Sequence, residues 1–277
     1  MAPGTPSEQP GASAQVPASN PVWQRILEGT EPGFARGRGI LRLLPSAPRC
    51  KLCAAPFAGP SAPLMRLIDR APWDKNPSIC GICFKELEAG RGGAEIDLSL
   101  LFADVRGSTA LAERLGDTAF QQLVNRFYAV ATEALIGHNA VLDKFVGDEV
   151  VGLFIPALSR DHHAQDAVAA ARELLRVTGH EDPAGPWAPL GVGVHSGRAF
   201  VGTVGTTVTD FTALGDSVNT TARLASAAGA GEILVTVVAA ERAGLPEDSG
   251  ERRRLELRGR SEPVDVIVLR AAVRSAA

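Results

Sequence analysis

The feature that most constrains this chain is an apolar strand that ends on an acid: LLFADVRGST, residues 100–109. Leu100 to Ala103 form a run that can be buried, Asp104 stops it, and Arg106, Gly107, Ser108 and Thr109 bring turn and helix-start chemistry. A carboxylate at the end of a buried strand loses hydration, so the fold has to supply a cation or another partner for it. Downstream, AVLDKFV and EVVGLFI are two short β-prone runs joined by Gly147-Asp148, which is a hairpin signature with an acid in the turn. A hairpin beside the first strand sets Asp148 near Asp104. Two carboxylates at one sheet edge repel each other unless a divalent cation lies between them. Hard oxygen donors with open positions suit Mg2+ or Mn2+ carrying a nucleotide's phosphates. Taken singly, this reading is matched by a plainer one, a surface turn Asp and an unrelated N-cap Asp.

The surrounding pattern is α+β. A strand at 97–104 leads into a helical stretch over 108–137 with a break at Gly116, and the hairpin and a helix at 161–178 follow. PLGVGVHSGRAFVGTVG reads as two strands around Ser196-Gly197. DSVNTTARLASAAG reads as a helix, and EILVT, RRLEL and VDVIVL as closing strands. The chain divides into a Pro, Ala, Ser and Gly tail (1–20) expected to be disordered, an unassigned segment (21–47), a cysteine module (48–90), a linker AGRGGAE centred on 91–96, the α+β domain (97–270) and a short tail (271–277). The net charge of −3 gives no reason to expect nucleic acid as a partner. No apolar run approaches the ~18–20 residues a membrane helix needs, and the N-terminus lacks the basic and apolar regions of a secretory signal. A cytoplasmic protein without a membrane span is expected.

Cys50, Cys53, Cys80 and Cys83 form two CxxC pairs with 26 residues between them, and no histidine precedes His138. In a reducing compartment this pattern points to metal before disulfide, with one tetrahedral Zn2+ held by four thiolates as the leading reading and iron or an iron–sulfur cluster as alternatives. The second pair opens a helical stretch, CFKELEAG, as in treble-clef-like zinc sites. A small module with few apolar residues needs such a staple to fold.

Four blocks in order, FADVRGST, DKFVGDEVVGLF, GVGVHSGRAFVGTVG and LGDSVNTTARL, resemble the catalytic domain of class III nucleotide cyclases over residues 98–269. The resemblance implies a ferredoxin-like antiparallel sheet with helices packed on it. It implies a homodimer whose shared sites each use two Mg2+ or Mn2+ ions to turn ATP into cyclic AMP and pyrophosphate. Asp104, Asp148 and the Val105 carbonyl match the family's metal ligands. Lys144 matches the lysine that reads adenine, and Thr212 falls where many members carry an aspartate. Asn219 and Arg223 match the pair that positions the ribose and stabilises the phosphate, and Arg258 or Arg260 falls near a further phosphate-binding cation. Asn219 and Arg223 are four apart and so share a helix face, which a solvated surface helix would also show. A lysine favours adenine because adenine N1 accepts a hydrogen bond where guanine N1 donates one, although an edge-strand lysine is a common device against aggregation. His195 reads as a satisfied core histidine, and His162 and His163 as exposed residues near a helix start. The alternatives are a guanylate cyclase and a non-catalytic cyclase-like binding module.

Overall fold

The computed structural model describes residues 20–44, 47–73, 76–89, 92–205, 210–260 and 262–272. The terminal tails, 1–19 and 273–277, lie outside the described residues. The apolar run that ends on Asp104 is the second half of a 13-residue strand, β3 (Gly93–Val105). Its even positions, Ala94, Ile96, Leu98, Leu100 and Phe102, enter one core, and its odd positions Leu101, Ala103 and Val105 enter another. This is the period of two that puts successive side chains on opposite faces of a sheet. Glu95 and Asp97 are exposed odd positions, which places solvent over the start of that second face.

Before β3 come α1 (Pro21–Leu27), α2 (Pro32–Leu41), α3 (Ala62–Leu67), a two-stranded ribbon β1 (Pro72–Trp73) and β2 (Asn76–Cys80), and α4 (Gly81–Ala89). After it come α5 (Ser108–Leu115), α6 (Asp117–Gly137), β4 (Val141–Val146), β5 (Glu149–Phe154), α7 (Pro156–Ser159), α8 (His163–Val177), β6 (Leu190–Val204), β7 (Asp210–Leu214), α9 (Asp216–Ala227), β8 (Glu232–Thr236), α10 (Val237–Arg242), β9 (Glu251–Leu255) and β10 (Val264–Arg270). The main sheet runs β4-β5-β3-β6-β8-β10-β9, with β7 on the flank of β6. Its pairings are antiparallel except β6 with β8, so the sheet is mixed where an antiparallel one was expected. A parallel pair needs a crossover, and α9 supplies it. Helices α6, α8 and α10 cover the odd face of β3, while α9 and the N-terminal segment lie over the even face.

Several expectations are corrected. PLGVGVHSGRAFVGTVG is one continuous strand, β6, without a turn at Ser196-Gly197. Its glycines serve close packing: a Cβ on Gly193 would lie 2.5 Å from Ala225 N and 2.7 Å from Thr221 O, and one on Gly197 would lie 2.6 Å from Ser217 Oγ, all on α9. Gly93 to Ile96, assigned to the linker, are strand residues paired with β6 for the same reason of close backbone approach. The segment 21–47 contains α1, whose Trp23 (2% exposed) and Leu27 enter the even-face core, with Trp23 stacked on Phe211 of β7 at 6.3 Å. His163 is buried, and its Nδ1 shares a hydrogen bond of 2.8 Å with Ser99 Oγ, which also meets Ser196 Oγ at 2.6 Å. His162 is exposed as expected. Gly116 does break the long helical stretch, with φ +76 between α5 and α6.

Candidate functional site

The carboxylate pair is assembled by the sheet. Asp104 pairs with Glu149 across β3 and β5, and the Val105 N–H donates to the Asp148 carbonyl at 3.2 Å, so the turn acid sits beside the strand-end acid. Gly147 takes φ +61, which lets Gly147-Asp148 close the β4–β5 turn. Tyr128 of α6 holds this turn from outside: its ring stacks on Phe145 at 4.0 Å and its hydroxyl donates to the Gly147 carbonyl. Within the chain, Asp104 finds its cation in Arg106, which pairs with it through Nη2 and donates from Nη1 to the Ser226 carbonyl at 2.9 Å. Arg106 Nε is buried with no hydrogen-bond partner among the described residues, so the donors of this guanidinium are only partly used. Burial first, and the adjacent Asp148 carboxylate second, raise the Glu149 carboxyl pKa, while Arg106 and Lys144 pull it down. The donor set is two carboxylates and the Val105 carbonyl, all hard oxygens, and it fits a small divalent cation.

A second group forms where β4 meets β7. β7 flanks β6 on the side away from β3, whereas β4 lies beyond β5, so the sheet must curl around the even-face core for them to touch. There Lys144 Nζ donates to Thr212 Oγ1 at 3.2 Å. Thr212 Oγ1 in turn lies 3.0 Å from Asp143 Oδ2. Asp143 had no sequence signal beyond its place before Lys144.

The third group lies on α9 and the loop after β9. Asn219 is exposed, and Arg223, one turn on, is half-buried. Arg223 lines a cleft with Ser226, Leu257, Arg258 and Gly259. Arg260 is turned back onto α9, donating to Asp216 Oδ2 at 2.6 Å and to Thr220 Oγ1. Of the two candidate arginines, Arg258 therefore shares the cleft of Arg223 while Arg260 is neutralised. His195 Nδ1 is hydrogen-bonded to Thr236 Oγ1 at 3.0 Å, and burial depresses its pKa to about 4, so it sits neutral in the fold.

The four cysteines converge. Their sulfurs lie within 4.8 Å of one another, with Cys53–Cys80 at 3.7 Å and Cys50–Cys83 at 3.9 Å. Metal–sulfur bonds of about 2.3 Å in a tetrahedron give sulfur–sulfur edges of about 3.8 Å, so the spacing fits one mononuclear ion. A cluster that places its thiolates on different irons needs a wider set. Arg70 Nη1 donates to Cys53 Sγ at 3.2 Å and the Cys80 N–H to Cys50 Sγ at 3.3 Å, both of which favour thiolates. Lys51, between the first two cysteines, donates to the Ile136 carbonyl at 2.6 Å and to Asn139 Oδ1 at 2.9 Å, tying the module to the C-terminal end of α6.

Residues 94–269 match the model of the Adenylate and Guanylate cyclase catalytic domain family. The chain belongs to this cyclase family. Among curated relatives, the Mycobacterium tuberculosis protein Rv1318c is 29% identical over 178 residues, covering 62% of this chain and 32% of its own. Rv1319c of the same organism is 31% identical over 134 residues, covering 48% of this chain and 24% of its own. The chain thus spans a third or less of the length of these relatives. Among solved structures, the guanylyl cyclase Cya2 is similar with TM-score 0.58 and 26% identity, covering 66% of this chain and 95% of that one. The adenylyl cyclase CyaB from P. aeruginosa gives TM-score 0.54 and 26% identity, covering 67% and 99%. The expected cyclase fold is therefore present. Sequence identity to the guanylyl and the adenylyl enzyme is the same, 26%, and does not distinguish the two bases. Among the described residues, no helix of this cyclase domain is long and apolar enough to cross a membrane.

Proposed function

We propose that this chain is an adenylate cyclase that converts ATP to 3′,5′-cyclic AMP and pyrophosphate, in sites shared between two copies of the chain. The observation that carries the base assignment is the Lys144–Thr212 contact, which sets a charged donor beside a hydroxyl acceptor. Adenine presents an acceptor at N1 and a donor at C6, and this pair complements both. Guanine would turn its N1–H toward the ammonium, leaving a donor unpaired.

In the reaction the ribose 3′-oxygen bonds to the α-phosphorus, the bond from that phosphorus to the bridging oxygen breaks, and pyrophosphate leaves. Asp104, Asp148 and the Val105 carbonyl would hold two divalent cations, Mg2+ or Mn2+, which lower the pKa of the 3′-hydroxyl and screen the leaving phosphates. Asn219 orients the ribose. Arg223 places a planar fork on the α-phosphate as charge develops there, better suited than a point charge, and Arg258 adds a second cation for the leaving phosphates in a cleft that Glu256 also lines. Arg106 holds Asp104 poised by giving it a counter-charge before substrate arrives. The four cysteines hold one structural Zn2+ per chain, and Arg70 offsets part of the resulting negative charge. The domain works in the cytoplasm, where ATP is available.

Purified protein incubated with Mn2+ and either ATP or GTP, followed by identification of the cyclic product, tests this. Cyclic AMP formed in preference to cyclic GMP is the expected result. Cyclic GMP as the main product makes the chain a guanylate cyclase, and no cyclic product from either makes it a binding module.

A further inference from the structure

We propose that Asp143 is a positioning residue that fixes the polarity of the Thr212 hydroxyl, committing it to accept a hydrogen bond and so selecting a 6-amino purine over a 6-oxo purine. The proposal rests on the adenylate cyclase reading and deepens it. A threonine hydroxyl can donate or accept, so by itself it distinguishes poorly between the amine of adenine and the carbonyl of guanine. The surroundings of Thr212 remove that freedom. An ammonium only donates and a carboxylate only accepts, so the contacts of Thr212 Oγ1 with Lys144 Nζ at 3.2 Å and Asp143 Oδ2 at 3.0 Å have one consistent proton arrangement. Lys144 donates to the hydroxyl, and the hydroxyl donates to Asp143. The competing acceptor, the Ala213 carbonyl, is neutral and lies further off at 3.5 Å. With its one proton spent, Thr212 offers the ligand only a lone pair. A C6 amine finds an acceptor there, and a C6 carbonyl meets lone pair against lone pair.

Two features separate this arrangement from incidental packing. Adjacent residues of a regular strand point to opposite faces, so Asp143 and Lys144 reach the same hydroxyl only because the β4–β5 register shifts between Leu142 and Lys144. The Asp143 side chain is also only 2% exposed, its charge balanced by Lys144 at 3.9 Å, and its Oδ1 has no hydrogen-bond partner among the described residues. A buried, half-satisfied carboxylate costs stability that an isosteric amide would not, which is a poor solution for packing and an adequate one for forcing a neighbour's proton.

The test compares kcat/KM for ATP, GTP, ITP and purine riboside triphosphate in the wild type, Asp143→Asn, Thr212→Val and the double variant, with Lys144→Glu as the control on base reading. An amide at 143 can donate to Thr212 and turn its hydroxyl outward. Asp143→Asn is therefore expected to lower the ATP/GTP and ATP/ITP ratios about 3- to 10-fold, the size of one hydrogen bond. Purine riboside triphosphate, which carries nothing at C6, should be used as well as by the wild type. On the Thr212→Val background, Asp143→Asn should add nothing. Equal loss for all four nucleotides, or an effect that persists without the Thr212 hydroxyl, overturns the proposal, because either means a structural role. If Asp143→Asn does not fold, Thr212→Val decides: it must lose the C6 discrimination, and wild-type ratios in it refute the idea. An unchanged ratio in Lys144→Glu instead removes the base-reading assignment itself. Absence of turnover removes the cyclase reading, and the same ratios are then read by competition with a fluorescent ATP analogue, where an unaltered C6 preference in Asp143→Asn again overturns the proposal.

Discussion

Mixing two dead variants distinguishes a site built within one chain from a site shared by two. Within one chain, Arg106 bridges the Asp104 carboxylate to the Ser226 carbonyl, and Ser226 lies on α9 less than one turn beyond Arg223. A within-chain site joining Asp104 to Arg223 is therefore a real competitor to the shared site proposed above. On the proposed mechanism Asp104→Ala would remove a metal ligand and Arg223→Ala the fork on the α-phosphate, and each alone should lower kcat at least about 100-fold. Neither side chain is in the buried core, so both variants should fold. Mixed in equal amounts and allowed to exchange, the chains form about one half heterodimers. In a shared-site heterodimer one site collects both defects and the other collects neither, so half of the sites in half of the dimers work. Activity should return to about a quarter of the wild type at equal total chain. A within-chain site predicts no return, since every chain carries its own defect. The assay is cyclic AMP formation after mixing, with exchange verified by isolating heterodimers through two different affinity tags. Verified heterodimers that stay inactive would refute the shared site.

Metal analysis should find one zinc per chain, lost in Cys80→Ser together with thermal stability of the N-terminal segment, and a metal-free preparation with four reactive thiols and an unchanged melting temperature would count against the site. The pH dependence of unfolding should contain two opposed contributions. Burial raises Asp143 from the ordinary 3.8 to about 6, although Lys144 and the Thr212 hydroxyl pull the other way, so the stability it confers below pH 4 is lost as pH rises through 6. Burial, aided by Arg260, lowers His195 from 6.5 to about 4, so its contribution is present above pH 6.5 and lost as pH falls through 4. Each shift is worth up to about 3 kcal/mol. The stability of Asp143→Asn relative to the wild type should therefore climb between pH 4 and pH 6 in denaturant titrations, and a flat difference would show that Asp143 is not desolvated.

What could be read from the sequence was what depends on neighbours along the chain. The strand that ends on Asp104, the Gly147-Asp148 turn, the helix break at Gly116 and the two CxxC pairs all follow from local pattern, and the structure contains each of them. The contact of Asp143 with Thr212 spans 69 positions and depends on a bulge and on the curl of the sheet, neither of which leaves a periodic trace. His163 opens a helix as expected, yet it is buried because the strand residue Ser99 offers it a hydrogen bond 64 positions away. Trp23 stands in a segment without periodic pattern, and it stacks on Phe211 of β7, a strand of only five residues far along the chain.

The glycines of β6 are ambiguous in the sequence for a different reason. Glycine in a β-prone run is a turn signal and also a close-packing signal, and only the partner decides between them. The partner here is α9, whose Ser217, Thr221 and Ala225 recur every four residues, are small and are buried. Small residues at that spacing form one helix face that can approach a glycine-bearing strand, so the two patterns together were informative where either alone was not. Gly193→Ala tests this. Its new Cβ would lie 2.5 Å from Ala225 N, 2.7 Å from Thr221 O and 2.8 Å from Leu224 Cβ. Two of these are backbone atoms of a helix, so relief requires α9 to move as a body, at a cost of about 1–3 kcal/mol. Asn219 and Arg223 move with it, and catalysis is sensitive to misplacement of this kind. The expected result is a folded but less stable protein whose kcat falls about tenfold or more, with the metal content of the preparation the same as that of the wild type. Destabilisation with full kcat would show that Arg223 and Asn219 are not held in place by α9 packing.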